Sequence, residues 1–236
     1  MKRIAYTLLA VIAVFIAATL PASAQSEESR QVSGFNRIVA GEVLFVHVKI
    51  DGTESLKIST RADIIKLIET TVVDGTLTIK FKDNLKNGEG NTDGPLDVFV
   101  TAKSLSSIAK EGSGSLDVDG TLTGRDVNIA LNGSGNIRAA VKSENLKVTL
   151  NLSGYVHLRG AADNAKIIID GPGKVDGYDL KTKDASVKIT GAGSAYFSAD
   201  KTVSAHIVGA GGVVYSGNAI VTDSKIVGAG TVSKAK

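Results

Sequence analysis

The chain has 236 residues, with 27 basic and 24 acidic side chains, no Cys and no Trp. Without Cys it can form neither a disulfide nor a thiolate metal site. Lys2 and Arg3 are the only charged residues among the first 24, so the rest of the chain carries nearly balanced charge. That balance argues against a nucleic-acid partner, which would need a clustered positive surface.

Residues 1–24 have the pattern of a secretory signal peptide. Lys2 and Arg3 precede an apolar run over residues 4–20, and residues 22–24 (Ala-Ser-Ala) provide a small-x-small cleavage site before Gln25. An uncleaved membrane anchor is the alternative. Cleavage would leave no membrane span, so we expect an exported protein that is periplasmic, on the cell surface or extracellular.

Residues 25–110 contain the strand-rich but irregular part of the chain. Residues 25–33 are polar and predict a flexible lead-in, and residues 86–94 have the composition of a loop. One helical turn is predicted within residues 61–69. The predicted strands are residues 35–40, 43–50, 55–59, 76–82 and 96–101. We interpret 34–110 as irregular first rungs of a single domain, 34–236, and a separate β-domain is the alternative.

From residue 111 onward a glycine motif, G-x-G, recurs seven times. The last residues of the motifs are at 114, 135, 154, 173, 193, 211 and 230, so the steps are 18 to 21 residues. Such a period is typical of a solenoid. Leu152 replaces the first glycine of the third motif. The glycines predicted to form structural turns are Gly112, Gly114, Gly133, Gly135, Gly154, Gly171, Gly173, Gly191, Gly193, Gly209, Gly211, Gly228 and Gly230.

Apolar residues occupy alternate positions on both sides of each motif, which indicates strands. Two residues before the motif stand Leu131, Leu150, Ile169, Ile189, Ile207 and Ile226. Two residues after it stand Leu116, Ile137, Val156, Val175, Ala195, Val213 and Val232. Stacking the repeats joins equivalent positions into one buried column. The sequence therefore predicts an all-β fold, a right-handed parallel β-helix with rungs of about 19 residues and G-x-G corners.

Several segments together resemble a known bacterial family. They read GFNRIVAGEV, IETTVVDGTLTIKF, PLDVFVTAKSLSSIAKEGSGSLDV, repeated units like LNGSGNI, and VVYSGNAIVTDSKIVGAGTV. The pattern resembles the "putative auto-transporter adhesin, head GIN domain" family, a domain of unknown function, over about residues 34–232. The resemblance implies a secreted, all-β, β-helix-like domain.

A search for catalytic residues yields little. His47, His157 and His206 have no metal-ligand spacing, and we expect no catalytic, cofactor or metal site. Since β-helices can carry polysaccharide lyases and hydrolases, we also compared the carboxylates. Asp170 and Asp176 flank one corner and are the candidate pair for that alternative. Asp117 is expected to pair with Arg138 on the next rung.

Two surface features remain. Tyr155, Tyr178 and Tyr196 point outward, but they stand at different offsets in their repeats, which argues against a continuous aromatic platform for sugars. The column just before the motif begins with polar residues and changes to Val208 and Val227. With Val214 from another outward column, these valines either lie beneath a neighbouring loop or form a contact patch.

The leading hypothesis is an exported, non-enzymatic binding or scaffold protein of the bacterial envelope, adhesin-like in role. Its partner would be an envelope protein or a glycan, and a homo-oligomer is compatible with the sequence. The alternative is a carbohydrate-active β-helix enzyme. The short corners after residue 112 leave little chain for a catalytic cleft.

Overall fold

A computed structural model describes residues 25–82 and 94–235, so the predicted signal peptide and most of the predicted loop at 86–94 lie outside the described residues. The structure is 74% strand and 2% helix. The elements are β1 Gln25–Arg30, β2 Arg37–Ala40, β3 Phe45–Ile50, β4 Ser55–Arg61, α1 Ala62–Ile65, β5 Ile68–Val73, β6 Thr76–Phe81, β7 Asp97–Ala102, β8 Ser107–Glu111, β9 Ser115–Asn132, β10 Asn136–Asn151, β11 Tyr155–Asp170, β12 Lys174–Gly191, β13 Ser194–Gly209, β14 Gly212–Ser216, β15 Ile220–Gly228 and β16 Thr231–Lys234.

Each regular turn has three straight segments. In β9 the inward residues are Leu116, Val118 and Leu122, and then the alternation shifts by one residue to Val127, Ile129 and Leu131. Since side chains alternate strictly along a straight strand, such a shift marks a bend. A turn therefore consists of a first segment after the G-x-G corner, a short second segment and a third segment that leads to the next corner.

The predicted fold is confirmed as a parallel β-solenoid of about seven turns with a spacing of about 19 residues. Leu150 pairs with Leu131 on one side and with Ile169 on the other, so the predicted inward column is continuous. Its last member, Ile226, was predicted to be buried but is 39% exposed, because no described strand lies beyond β15. The right-handed sense stays a prediction.

The irregular N-terminal strands share the core of the repeats. β2 pairs in parallel with β6 and β8, and β3 pairs in parallel with β7 and β9. The buried apolar residues from Phe35 to Ala219 form one cluster. The order of these strands in the sheet differs from their order in the sequence. β3 lies between β7 and β9, although β7 follows β3 by about 50 residues.

The segment expected to be a flexible lead-in is instead mostly a strand. Gln25–Arg30 forms β1, which pairs antiparallel with β4 at the edge of the sheet. The Arg30 guanidinium donates hydrogen bonds to the carbonyl oxygens of Ile68 at 2.7 Å and Ile65 at 3.0 Å. β1 buries almost no apolar side chain, so the hydrophobic pattern gave no sign of it. The helical turn predicted within residues 61–69 is α1.

In the last four motifs the two glycines have different roles, as Gly209 and Gly211 show. At Gly209, φ is +123°, and an added Cβ would lie 2.3 Å from the carbonyl oxygen of Gly191 one turn below. At Gly211, an added Cβ would lie 2.6 Å from Cγ2 of Ile189 in the inward column. The first glycine therefore permits backbone contact between turns, and the second leaves space for the core. Leu152 occupies a first position with φ of +76° and an exposed side chain.

We expect Gly209→Ala to lower the free energy of unfolding by about 3 kcal/mol or more, because the methyl group meets backbone and the residue must keep a positive φ. Gly212→Ala is the matched control. Its added Cβ would meet only Thr231 Oγ1 at 3.6 Å, so the change should stay within about 0.5 kcal/mol. Chemical denaturation of both variants tests this. Equal stabilities would contradict the stated role of the corner.

Lys110 is a buried cation at the first G-x-G corner. Its side chain is fully buried, and Nζ donates hydrogen bonds to the carbonyl oxygens of Glu42 and Glu111. Burial lowers the pKa of Lys110 from 10.5 to about 8, although the nearby carboxylates of Glu42 and Glu111 act in the opposite direction. The folded protein therefore binds this proton less tightly than the unfolded chain does.

A pH dependence of stability follows. Below about pH 8 Lys110 is protonated in both states, and the cost of burying its charge is present in full. As the pH rises from about 8 towards 10.5, the folded state loses the proton first, so the free energy of unfolding should increase. The increase should be absent in Lys110→Met and retained in Lys188→Met, which changes an exposed lysine. Denaturation between about pH 7.5 and 9.5 measures it, and parallel curves for Lys110→Met and the unaltered protein would refute it.

Candidate binding face

The outward side of the first segments, here called the front face, carries one continuous column of side chains. Neighbouring members belong to paired strands, so they stand about 4.8 Å apart. The column runs through Lys57, Phe99, His47, Asp117, Arg138, His157, Asp176, Tyr196 and Val214. Sequence reasoning identified only its part from Asp117 onward, because β4, β7 and β3 do not share the repeat spacing.

Two hollows adjoin on the front face. The larger has a volume of about 860 Å³, and its lining includes Lys57, Phe99, His47 and Arg159. The smaller has a volume of about 210 Å³ and extends to Tyr155. Both are lined by Asp117 and Arg138, whose predicted pairing is present at 3.3 Å. The hollows therefore form one groove, here called the front groove, that crosses several strands.

In the front column, both faces of the Phe99 ring are covered by side chains of the neighbouring strands. The Lys57 ammonium lies 5.2 Å from the centroid of the Phe99 ring, and the His47 ring stacks on its other side at 5.0 Å. Lys57 and His47 belong to the strands on either side of β7. Only the edge of the Phe99 ring therefore faces the groove, where it offers apolar contact rather than a flat surface for stacking.

The structure brings the three outward tyrosines together around Lys174. The Lys174 ammonium lies 5.6 Å from the ring centroid of Tyr155 and 4.7 Å from that of Tyr196, and the rings of Tyr196 and Tyr178 are 4.8 Å apart. Their different offsets in the repeat concealed this cluster in the sequence. Lys174 therefore occupies a face of the Tyr155 and Tyr196 rings, whereas Tyr178 is exposed.

Asp176 is held as a carboxylate by this cluster. It accepts a hydrogen bond from the Tyr155 hydroxyl at 2.6 Å, and its second partner is Lys174 at 3.3 Å. Partial burial raises the pKa of Asp176, but the bonds from Tyr155 and Lys174 outweigh that effect and leave the pKa below its ordinary value. A glycosidase acid needs a raised pKa. Asp176 is therefore unsuited to donate a proton near neutral pH.

The candidate carboxylate pair does not share a site. Asp170 is exposed on the third segment, where it pairs with Asn151 and Thr190, whereas Asp176 lies beyond the corner on the front face. Among the described residues, no group of three His, Asp or Glu side chains is placed to hold a metal ion. His47 bonds Asp97 at 2.9 Å and His206 bonds Asp223 at 2.6 Å, while His157 stacks on Tyr155.

The outward side of the third segments, here called the rear face, is built on ladders of amides and acids. Asn145 donates to Asp126 at 2.8 Å, and Asn164 donates to Asn145 at 3.0 Å. A second ladder joins Asn151 to Asn132 at 2.6 Å. A shallow hollow of about 590 Å³ follows the first ladder. These side chains satisfy one another along the stack, which stabilises it and leaves few free donors.

The predicted valine patch is only partly assembled. Val208 and Val227 pair side by side on the rear face and are 50% and 54% exposed, with no loop over them. Val214 lies on the front face, half-buried beside Tyr196. The prediction that all three form one patch is wrong, because a corner separates Val214 from the other two. The apolar exposure continues instead into β15, through Ile220, Val221 and Ile226.

The comparison with protein families is decisive for classification. Residues 34–219 match the family described as "putative auto-transporter adhesin, head GIN domain". The chain belongs to this family. A search of curated proteins gives no match. Within the described residues, no helix is long and apolar enough to cross a membrane.

Solved bacterial structures have the same fold. A "putative adhesin" from Bacteroides fragilis is similar with a TM-score of 0.81 and 24% identity, covering 91% of this chain and 99% of that one. A "putative lipid binding protein" from Parabacteroides distasonis gives 0.73 and 22%, with coverages of 90% and 97%. A "putative adhesin" from Parabacteroides merdae gives 0.68 and 23%, with 90% and 96%. At these identities the likeness shows the fold alone.

The hydrogen bond between Tyr155 and Asp176 makes a testable prediction. The bond, then partial burial and the charge of Asp176, raise the pKa of the Tyr155 phenol to about 12. Asp176→Asn should return this pKa towards 10, and Asp170→Asn should leave it unchanged. Spectrophotometric titration of tyrosinate in the two variants measures the effect. A phenol that titrates alike in both would show that the bond does not form.

Proposed function

We propose that the protein is a non-enzymatic, adhesin-like binding protein of the bacterial envelope, exported by residues 1–24, which holds an acidic glycan in the front groove. The observation that carries the proposal is the groove itself, formed by two hollows that adjoin at Asp117 and Arg138. Family membership supports the adhesin-like role, and the predicted signal peptide supports the location.

Charge in the front groove favours an acidic ligand. The larger hollow is lined by five basic residues and three acidic ones, with His47 in addition. Arg159 is exposed and makes no hydrogen bond or ion pair with any described residue. Arg138 meets Asp117 through a single contact at 3.3 Å, which leaves guanidinium donors free. Such forks bind carboxylate and sulfate oxygens in pairs.

The geometry supports binding without turnover. Glycoside hydrolysis needs two carboxyl groups about 5 to 9.5 Å apart, one of them with a raised pKa. In the groove, Asp117 is paired with Arg138 and also accepts a bond from Ser115. The bond from Lys103 holds the pKa of Glu54, another carboxylate of the larger hollow, below its ordinary value, and just outside the groove Asp176 is held ionised. These contacts favour a role in orienting a sugar chain over one in cleaving it.

The experiment is a glycan array probed with residues 25–236, followed by titration of the best ligand. We expect acidic glycans to bind more tightly than neutral ones of equal length, with an affinity that falls as salt rises. Arg159→Ala should weaken binding about tenfold, the equivalent of about 1.4 kcal/mol for one lost charge-assisted contact. Lys188→Ala, which removes a rear-face charge, should have no effect.

Two results would overturn the proposal. Binding unaffected by Arg159→Ala, or selective binding of a protein partner instead of glycans, would place the ligand site outside the front groove or change its ligand class. Shortening of any bound polysaccharide that is abolished by Asp176→Asn or Asp170→Asn would establish an enzyme.

A further inference from the structure

β15 is an exposed edge strand at the far end of the solenoid from the front groove. All nine of its residues are exposed, and Ile220 is 67% exposed. Within residues 25–82 and 94–235, β15 pairs with β13 alone, so its second edge presents free N–H and C=O groups. Native proteins usually protect such an edge, because it is a template for pairing with another chain.

The sequence of β15 is complementary to itself in the antiparallel sense. With Ser224 at the centre, Asp223 stands opposite Lys225 of a second copy, and Lys225 stands opposite its Asp223. Antiparallel partners directly opposite one another interact most strongly, and opposite charges in that position are favourable. One register thus places acid against base twice.

The orientation of these side chains agrees with that register. Asp223 and Lys225 pair with Ser204 and His206 of β13, so both lie on the rear face and meet their counterparts on the same side of the sheet. Asp223 already bonds His206 at 2.6 Å, which fixes its carboxylate near the edge.

The neighbouring edge strand does not offer the same opportunity. β16 ends at Lys234, which pairs with Tyr215 and so belongs to an inward column. A charge at an inward position of an edge strand discourages pairing there. The available edge is therefore β15 on the rear face.

We infer that β15 is a self-association site, at which two copies of this chain join their rear sheets by antiparallel pairing about Ser224. The occupant is a second copy, because the edge carries its own complement in charge. The association is independent of any ligand in the front groove. Because the contact is one strand wide, the dimer is expected to be reversible and to form with rising concentration.

Sedimentation velocity over a concentration series tests the inference. The protein of residues 25–236 should dimerise, whereas Asp223→Lys and Lys225→Asp should each remain monomeric, since each places like charges opposite one another. Mixing these two variants, or combining both changes in one chain, should restore the dimer, because acid again faces base. Asp170→Lys, the same change mid-way along the rear face, should leave dimerisation intact. Circular dichroism and the thermal midpoint confirm that each variant is folded.

Cross-linking fixes the register, since the chain has no native cysteine. Ser224→Cys should form a disulfide-linked dimer under mild oxidation, whereas Ser186→Cys, exposed on the rear face two turns away, should not. A protein that is monomeric at all concentrations would overturn the inference. So would a dimer that survives Asp223→Lys or capture of a different protein strand by β15. None of these results bears on glycan binding, which is measured separately with Arg159→Ala.

Discussion

The solenoid depends on how closely its backbone turns approach one another at the G-x-G corners. An added Cβ at Gly133, Gly209 or Gly228 would lie 2.1 to 2.4 Å from a carbonyl oxygen of the turn below. Strand spacing of about 4.8 Å sets the separation of the turns, so these corners must accept close backbone contact. A Cβ at Gly209 would press on the turn below and strain ladder bonds such as Gly212 N–H to Gly193 C=O at 3.0 Å. Leu152 takes the equivalent position only with a positive φ and its side chain turned out to solvent.

Once the corners fix the register, inward and outward positions face different constraints. Inward positions must be apolar and fill the core together with their neighbours in the stack, as Ile169, Ile189 and Ile207 do. Outward positions are free to vary, but adjacent ones lie close enough to satisfy one another. Asn132 and Asn151 bond to each other, and Lys174 covers the tyrosine rings. The groups available to bind a ligand or another chain are therefore those without a partner in a neighbouring turn, such as the guanidinium of Arg159 and the open edge of β15.

Repetition explains what the sequence could predict. The glycine spacing and the period-two columns determine the strand register, so the fold and the pairing of Asp117 with Arg138 followed from counting residues. The front groove could not be found that way, because β4, β7 and β3 lie side by side in an order unrelated to their order in the chain. The sequence did not predict β1, because this strand is held by backbone pairing with the edge strand β4 and not by burial of apolar side chains. Val214 was grouped with Val208 and Val227 because all three are outward valines of the last rungs, although the predicted corner at Gly209 and Gly211 puts Val214 on another face.

The two proposed contact sites lie where the regular repeat gives way. At one end, antiparallel strands β1 and β4 extend the sheet and create the larger hollow, and at the other β15 leaves an edge open. Six strand spacings separate β3, in the hollow, from β15, which is about 29 Å. Two copies joined at β15 would therefore carry their grooves about 60 Å apart at opposite ends of one rod. If the glycan is repeated on a cell surface, both grooves of one dimer would bind it at the same time. Binding at the first groove would raise the effective concentration of glycan at the second, so the dimer would bind with an avidity that a single groove lacks.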